Sequence, residues 1–252
     1  FEDDTLKHLP PGGAGTTFDV RVRAVNADGE ALASWRVTVA NPVSIEFDAT
    51  ADYTANFTEL FGRVPPAQAA GLSAEVRGGD LRIAVPATGP GATDNLDSWC
   101  GFDRSPRWWS NVKVLGAFEV ETRVYFPVPP GDVGNGYHVG LALDRGDQDV
   151  TILGPIRNQI EFQRTCLWDG DHSSFAVFPD AVFDEISLKI AVNGKTQTWW
   201  ARQSDTDPWS YLGSAEQARP PVQGVGFAAK TWAGQTTFTP GFRYFRHRGL
   251  PA

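Results

Sequence analysis

The segment Phe118–Phe126, F-E-V-E-T-R-V-Y-F, constrains this chain more than any other stretch. Read with period two, Phe118, Val120, Thr122, Val124 and Phe126 point one way, and Glu119, Glu121, Arg123 and Tyr125 the other. Two carboxylates, a guanidinium and a phenol are more polar chemistry than a solvated strand requires. The pattern predicts a sheet with one side on a core and the other lining a groove that meets a polar partner.

Similar short runs broken by turns fill the chain from Ile45 onward. Strands are expected over 44–47, 72–76, 81–85, 117–126, 138–144, 150–154, 159–165, 174–178, 185–192, 197–203, 222–229 and 237–245. Gly78-Gly79 and Asn193-Gly194 are hairpin signals, the second the strongest in the chain. The one helical candidate, Pro65–Gly71, is short. Nine Trp, 16 Phe, 26 Gly and 18 Pro also favour strands and turns. Many strands with almost no helix argue for an all-β sandwich or jelly roll.

Residues 1–42 read as a separate segment ending at Asn41-Pro42, ahead of a main domain over 43–252. Thr17–Asn26 and Ser34–Val39 alternate around Asn26-Ala27-Asp28-Gly29, a β-hairpin that cannot bury a core by itself. This part resembles the last strands of a fibronectin type III or cadherin-like Ig sandwich. The chain contains no Met. We therefore expect a piece of a larger multidomain chain.

A net charge of −8 without a basic stripe argues against nucleic acid as a partner. A local Arg/Lys cluster still leaves an acidic polysaccharide open. No run of 18 apolar residues exists, so no membrane span is expected. Cys100 and Cys166 are either two free thiols or one disulfide of a secreted protein. The bridge would contribute roughly 4 kcal/mol by chain entropy.

From Gly78 the pieces G-G-D-L-R-I, G-A-F-E-V-E-T-R-V-Y-F, Y-H-V-G-L-A-L, I-S-L-K-I-A-V-N-G-K, S-D-T-D-P-W-S-Y-L-G, V-G-F-A-A-K and F-R-Y-F-R follow in order. Together they resemble a concanavalin A-like lectin/glucanase sandwich over residues 45–249. The resemblance implies two curved antiparallel sheets, with glycans bound or cleaved on the concave one. It requires no cofactor but implies a candidate structural Ca²⁺. Asp48 with Asp52, or Asp169-Gly170-Asp171, would supply the oxygens, though acidic turns are often only turns.

With the apolar alternates taken as core, one groove would hold Glu119, Glu121, Arg123, Tyr125, His138, Gln159, Glu161, Gln163, Lys189 and one of Trp199/Trp200. The alternative is an ordinary charge-paired sheet face. Trp99, Trp108, Trp109 and Trp168 fall in Gly/Pro/Asp-rich segments that read as loops; 94–110 looks like one long insertion. Rings on such loops suit stacking on the C–H face of a pyranose, with carboxylates and amides taking hydroxyls. Trp209 is expected in the core, and Trp232 on either side.

An enzyme would use Glu119, Glu121, His138 and Glu161. Carboxylates at i and i+2 stand about 7 Å apart, close to an inverting pair. The E-x-D-x-x-E strand of glucanases with this fold is absent. Arg123, Gln159, His138 and Tyr125 match the residue types of a polysaccharide lyase, but Glu161 stands where its His should be. The leading expectation is therefore an extracellular glycan-recognising module. A polysaccharide hydrolase or lyase comes second, and a structural or adhesive surface module third.

Overall fold

A computed structural model describes residues 17–26, 29–38, 42–60, 64, 66–87, 96–99, 102–114, 116–127, 136–146, 149–156, 159–164, 172–175, 185–216, 221–232 and 237–250. The chain divides into two units, Phe1–Pro42 and Val43–Ala252. In the first, β1 (Thr17–Asn26) pairs antiparallel with β2 (Gly29–Thr38), with Asn26 opposite Gly29. This two-residue connection is the hairpin the Asn-Ala-Asp-Gly signal predicts.

The second unit begins with β3 (Val43–Glu46), α1 (Thr50–Thr54), β4 (Phe57–Leu60), α2 (Pro66–Ala69), β5 (Ser73–Val76) and β6 (Leu81–Ala84). The ribbon β7 (Ser98–Trp99) and β8 (Phe102–Asp103) follows, then β9 (Arg107–Ser110), β10 (Phe118–Tyr125), β11 (Gly136–Asp144) and β12 (Val150–Ile156). Next come β13 (Gln159–Arg164), β14 (His172–Phe175), β15 (Glu185–Asn193), β16 (Thr196–Arg202) and β17 (Ser210–Glu216). The last strands are β18 (Gly224–Trp232) and β19 (Gly241–Gly249). Over β1, β2, β7, β8, β13 and β14 only the backbone is described.

Apart from the β7–β8 ribbon, these strands form two antiparallel sheets, a β-sandwich. One has eight strands in the order β17-β16-β15-β10-β19-β6-β5, with β3 also on β19. The other has seven, β14-β13-β12-β11-β18-β9-β4. Turn chemistry sets two of the joins. Gly194, at φ 57°, starts the two-residue turn that puts Asn193 opposite Thr196. Gly78 and Gly79, both at positive φ, carry the chain from Val76 back to Leu81.

The core lies between the sheets. Phe118, Val120 and Val124 of β10 point into it, as do Phe242 and Phe245 of β19. Val139, Leu141 and Leu143 of β11 and Phe227 of β18 face them from the other sheet. Phe227 stacks on Phe242 across the interface at 4.0 Å between centroids, and Phe57 sits 5.3 Å from Phe227 and edge-on to Phe245. Each buried Phe contributes about 1.5–3 kcal/mol relative to exposure. Thr122, the polar member of the inward set, donates from Oγ1 to the Tyr244 carbonyl at 2.6 Å.

The region 94–110 is not a plain loop. Leu96 forms a bridge with Thr231, β7 and β8 pair with each other, and β9 joins the seven-stranded sheet between β18 and β4. Trp108 accordingly faces the core and is fully buried, which removes it as a sugar-contacting residue.

Candidate functional site

The single groove does not form. Strand β10 belongs to the eight-stranded sheet, so its polar face is the outer side of that sheet. Strands β11, β12 and β13, with His138 and residues 159–163, belong to the other sheet. Glu119, Glu121, Arg123, Tyr125 and Lys189 therefore do not meet His138. Period two assigns sides within a strand; it does not say which sheet the strand joins.

On the eight-stranded sheet the polar side chains bind one another. Glu119 accepts from Arg248 Nε at 2.7 Å. Glu121 accepts from the Tyr244 hydroxyl at 2.7 Å and has Arg202 and Arg246 at 3.7 Å. Arg123 pairs with Glu185 and Asp205. Tyr125 donates to Asp80 at 2.6 Å, and its ring lies between the Gly241 backbone and the Arg243 guanidinium. Burial, and then this hydrogen bond, push the Tyr125 phenol up to about 12. These contacts make Glu119 and Glu121 ion-pair and hydrogen-bond partners on the outer side of the sheet. Arg123 and Tyr125 are likewise occupied.

Trp199 and Trp200 split as expected, Trp199 into the core and Trp200 outward. Trp209 differs from expectation. It is half-buried on the outer side, with Lys189 Nζ 4.4 Å and Arg202 Cζ 4.5 Å from its ring centroid.

The outer side of the seven-stranded sheet is built differently. Its central strands put small residues there: Gly136, Gly140 and Ala142 on β11, and Gly224, Gly226 and Ala228 on β18. At Gly140 and Gly154 neighbouring backbones approach so closely that a Cβ would meet the Leu153 or Val139 carbonyl oxygen at 2.0 Å or less. Trp109 is half-buried and packs on Ala142, Val150, Ile152 and Ala228. A Cβ at Gly224 would find Trp109 and the Asp144 carboxylate each 3.9 Å away, so ring and carboxylate converge above a residue that has no side chain. Asp144 Oδ1 also accepts from the Gly146 amide at 2.9 Å, which orients it.

Toward the far end of β18, Lys230 stands opposite His138 in register. Both are buried, and Lys230 Nζ pairs with Asp97 at 2.9 Å. The Arg104 amide donates to the Asp97 carbonyl at 2.8 Å, closing the base of the β7–β8 ribbon beside this pair. Trp232 lies over Gly136, where a Cβ would strike the indole at 2.1 Å. Asp97, Asp144 and Lys230 escaped the sequence reading. The signal for Lys230 was there: Gly224, Gly226, Ala228 and Lys230 recur at every second position, a line of small residues ending in a cation.

Register places positions 163, 161 and 159 opposite Ile152, Gly154 and Ile156, next to this surface. The side chains of Trp99, Gln159, Glu161 and Gln163 lie outside the described residues, as do Cys100, Cys166, Trp168, Asp169 and Asp171. Of the calcium candidates, Asp52 accepts from the Ala49 amide at 2.7 Å at the start of α1, and Asp48 is exposed. Among the described residues no group of three or more His, Cys, Asp or Glu gathers that could hold a metal ion. No helix among them is long and apolar enough to cross a membrane.

Sequence comparison finds no protein family and no curated protein that matches this chain. Solved structures do. A functionally unknown protein from Saccharomyces cerevisiae superposes with a TM-score of 0.59 at 16% identity, covering 79% of this chain and 98% of that one. The GH43 protein BlXynB from Bacillus licheniformis gives 0.56 at 14% identity, covering 90% of this chain but 46% of its own. A structure described with the endo-acting O-glycanases of human gut microbiota gives 0.57 at 9% identity, over 83% and 99% of the two chains. At these identities the likeness establishes the two-sheet antiparallel β-sandwich as the fold of this chain.

Proposed function

We propose that residues 43–252 form a glycan-binding module that uses the outer side of the seven-stranded sheet. The convergence of the Trp109 ring and the Asp144 carboxylate above Gly224 carries this reading. A pyranose stacks its C–H face on an indole while a carboxylate accepts from its hydroxyls, and a glycine lets the sugar approach the backbone. Trp232 and the Lys230–Asp97 pair bound the surface farther along β18. The endo-acting O-glycanases with which one of the similar structures is described support a carbohydrate ligand. This reading carries the expectation of an extracellular module within a larger secreted or surface protein.

The test is a panel of soluble plant, algal and bacterial polysaccharides. Tryptophan fluorescence follows binding, reducing ends follow hydrolysis, and ultraviolet absorbance follows unsaturated products of elimination. Binding without new ends, weakened at least tenfold in Trp109→Ala and Asp144→Asn, is the expected result. New ends or unsaturation would make the protein an enzyme. No response to any polymer would leave a structural sandwich.

A further inference from the structure

The register of the eight-stranded sheet lines up a row of side chains on its outer side. Arg246 of β19 stands opposite Glu121 of β10, Glu121 opposite Lys189 of β15, Lys189 opposite Trp200 of β16, and Trp200 opposite Tyr211 of β17. The row passes from ion pairs to aromatic rings. At its aromatic end, Lys189 Nζ lies 4.9 Å from the Trp200 centroid and 4.4 Å from that of Trp209. Trp200 meets Tyr211 edge-on at 6.4 Å.

Two observations separate this end from the rest of the face. First, the arginines around it have acidic partners: Arg248 with Glu119, Arg246 with Glu46, Arg202 with Asp205, Arg123 with Glu185, and Arg243 with Asp80 and Glu185. The Lys189 ammonium lies over two indole rings, with no carboxylate in ion-pair range among the described residues; Glu119 and Glu121 act on it from farther away. Burial pushes its pKa below the ordinary lysine value, against the pull of Glu119 and Glu121. Second, Tyr211 is 63% exposed and is the exposed large hydrophobic residue of the described part of the molecule. It sits on the edge strand β17, with its hydroxyl held by Ser214 Oγ at 3.1 Å. A half-desolvated cation with no carboxylate in ion-pair range among the described residues, beside the solvent-exposed Tyr211 ring, matches a ligand that is both a stacking ring and an anion.

We propose that Lys189, Trp200, Trp209 and Tyr211 form a second carbohydrate subsite, on the sheet opposite the first, which takes an anionic sugar: a pyranose bearing a carboxylate or a sulfate. The ring stacks on the exposed Tyr211, with Trp200 and Trp209 flanking it, and the anion meets Lys189. The subsite stands independently of the Trp109 surface. Because the chain as a whole carries −8, attraction is local and screened over about 8–10 Å at moderate salt.

Affinity electrophoresis of the whole chain tests this. Gels contain polygalacturonate, dextran sulfate or neutral dextran, at low and high salt. Wild type is expected to be retarded by polygalacturonate if the anion is a carboxylate, and by dextran sulfate if it is a sulfate. It should run freely in neutral dextran, and retardation should fall with salt. Lys189→Met and Tyr211→Ala should each weaken the retarding interaction about tenfold. Trp109→Ala should leave it unchanged while losing the responses to the wider panel. Tyr211 is exposed on an edge strand, so its variant keeps the test valid if Lys189→Met does not fold. Equal migration in charged and neutral gels overturns the proposal. So does unaltered retardation of Tyr211→Ala, or loss confined to Trp109→Ala.

Discussion

Tyr125 and Asp80 meet at 2.6 Å, where the phenol donates to a buried carboxylate that the β5–β6 turn brings alongside β10. Removing the hydroxyl takes one donor from Asp80 and leaves it Arg243 at 3.0 Å and Arg82 at 4.0 Å. Tyr125→Phe should cost about 1–2 kcal/mol in urea unfolding at neutral pH. Because burial and Asp80 raise this phenol from 10 to about 12, the folded state holds its proton more tightly than the unfolded chain. The stabilisation is complete below about pH 10 and is lost as pH climbs through 12. Tyr137 and Tyr244 are raised similarly, so the diagnostic quantity is a shallower alkaline loss in Tyr125→Phe than in wild type.

His247 gives a response at the acid side. It is 3% exposed on β19 and its ring stacks on Phe118 at 5.4 Å. Burial lowers its pKa, so the unfolded chain takes up a proton that the folded chain resists. Stability should hold above about pH 6.5 and fall below it, by at most about 1.4 kcal/mol per pH unit. His247→Phe should flatten that slope between pH 7 and 5; an unchanged slope would place the acid sensitivity elsewhere.

Trp108 and Trp109 are neighbours with opposite roles. Trp108→Ala empties a core position between the sheets and should cost about 3–5 kcal/mol. Trp109→Ala removes a half-buried ring from the outer surface and should cost less stability while weakening glycan binding. Thermal unfolding of the two variants, alongside fluorescence titration of Trp109→Ala, separates the roles.

Glu121→Gln should leave any turnover of polysaccharide unchanged, because its carboxylate serves Tyr244, Arg202 and Arg246. Its effect should be a loss of about 1 kcal/mol or less, reduced further in high salt. A large drop in a measured activity would return Glu121 to the catalytic role that its sequence pattern suggested.

Much of the architecture was legible from alternation and turn chemistry. Strand β10, the split of Trp199 and Trp200, and the turns at Gly78-Gly79 and Asn193-Gly194 follow from neighbouring residues alone. Strand β9 was missed because Arg107-Trp108-Trp109-Ser110 lies between segments rich in Pro and Asp and is only four residues long. Strand β17 was missed because an edge strand with one polar side carries little apolar periodicity. In β11 and most of β18 both sides are buried, so alternation there does not mark which side is core.

By itself the sequence determined an all-β chain, the inward and outward residues of strands such as β10 and β16, and their turn-linked neighbours. These properties depend on residues close together along the chain. Only the tertiary structure decided that β10 and β11 lie in different sheets. That choice rests on pairings between distant strands, β10 with β19 and β11 with β18, and it parted Glu121 from His138. The same long-range pairing assembled the two surfaces, setting Trp109 beside Asp144 and Lys189 beside Trp200 and Trp209.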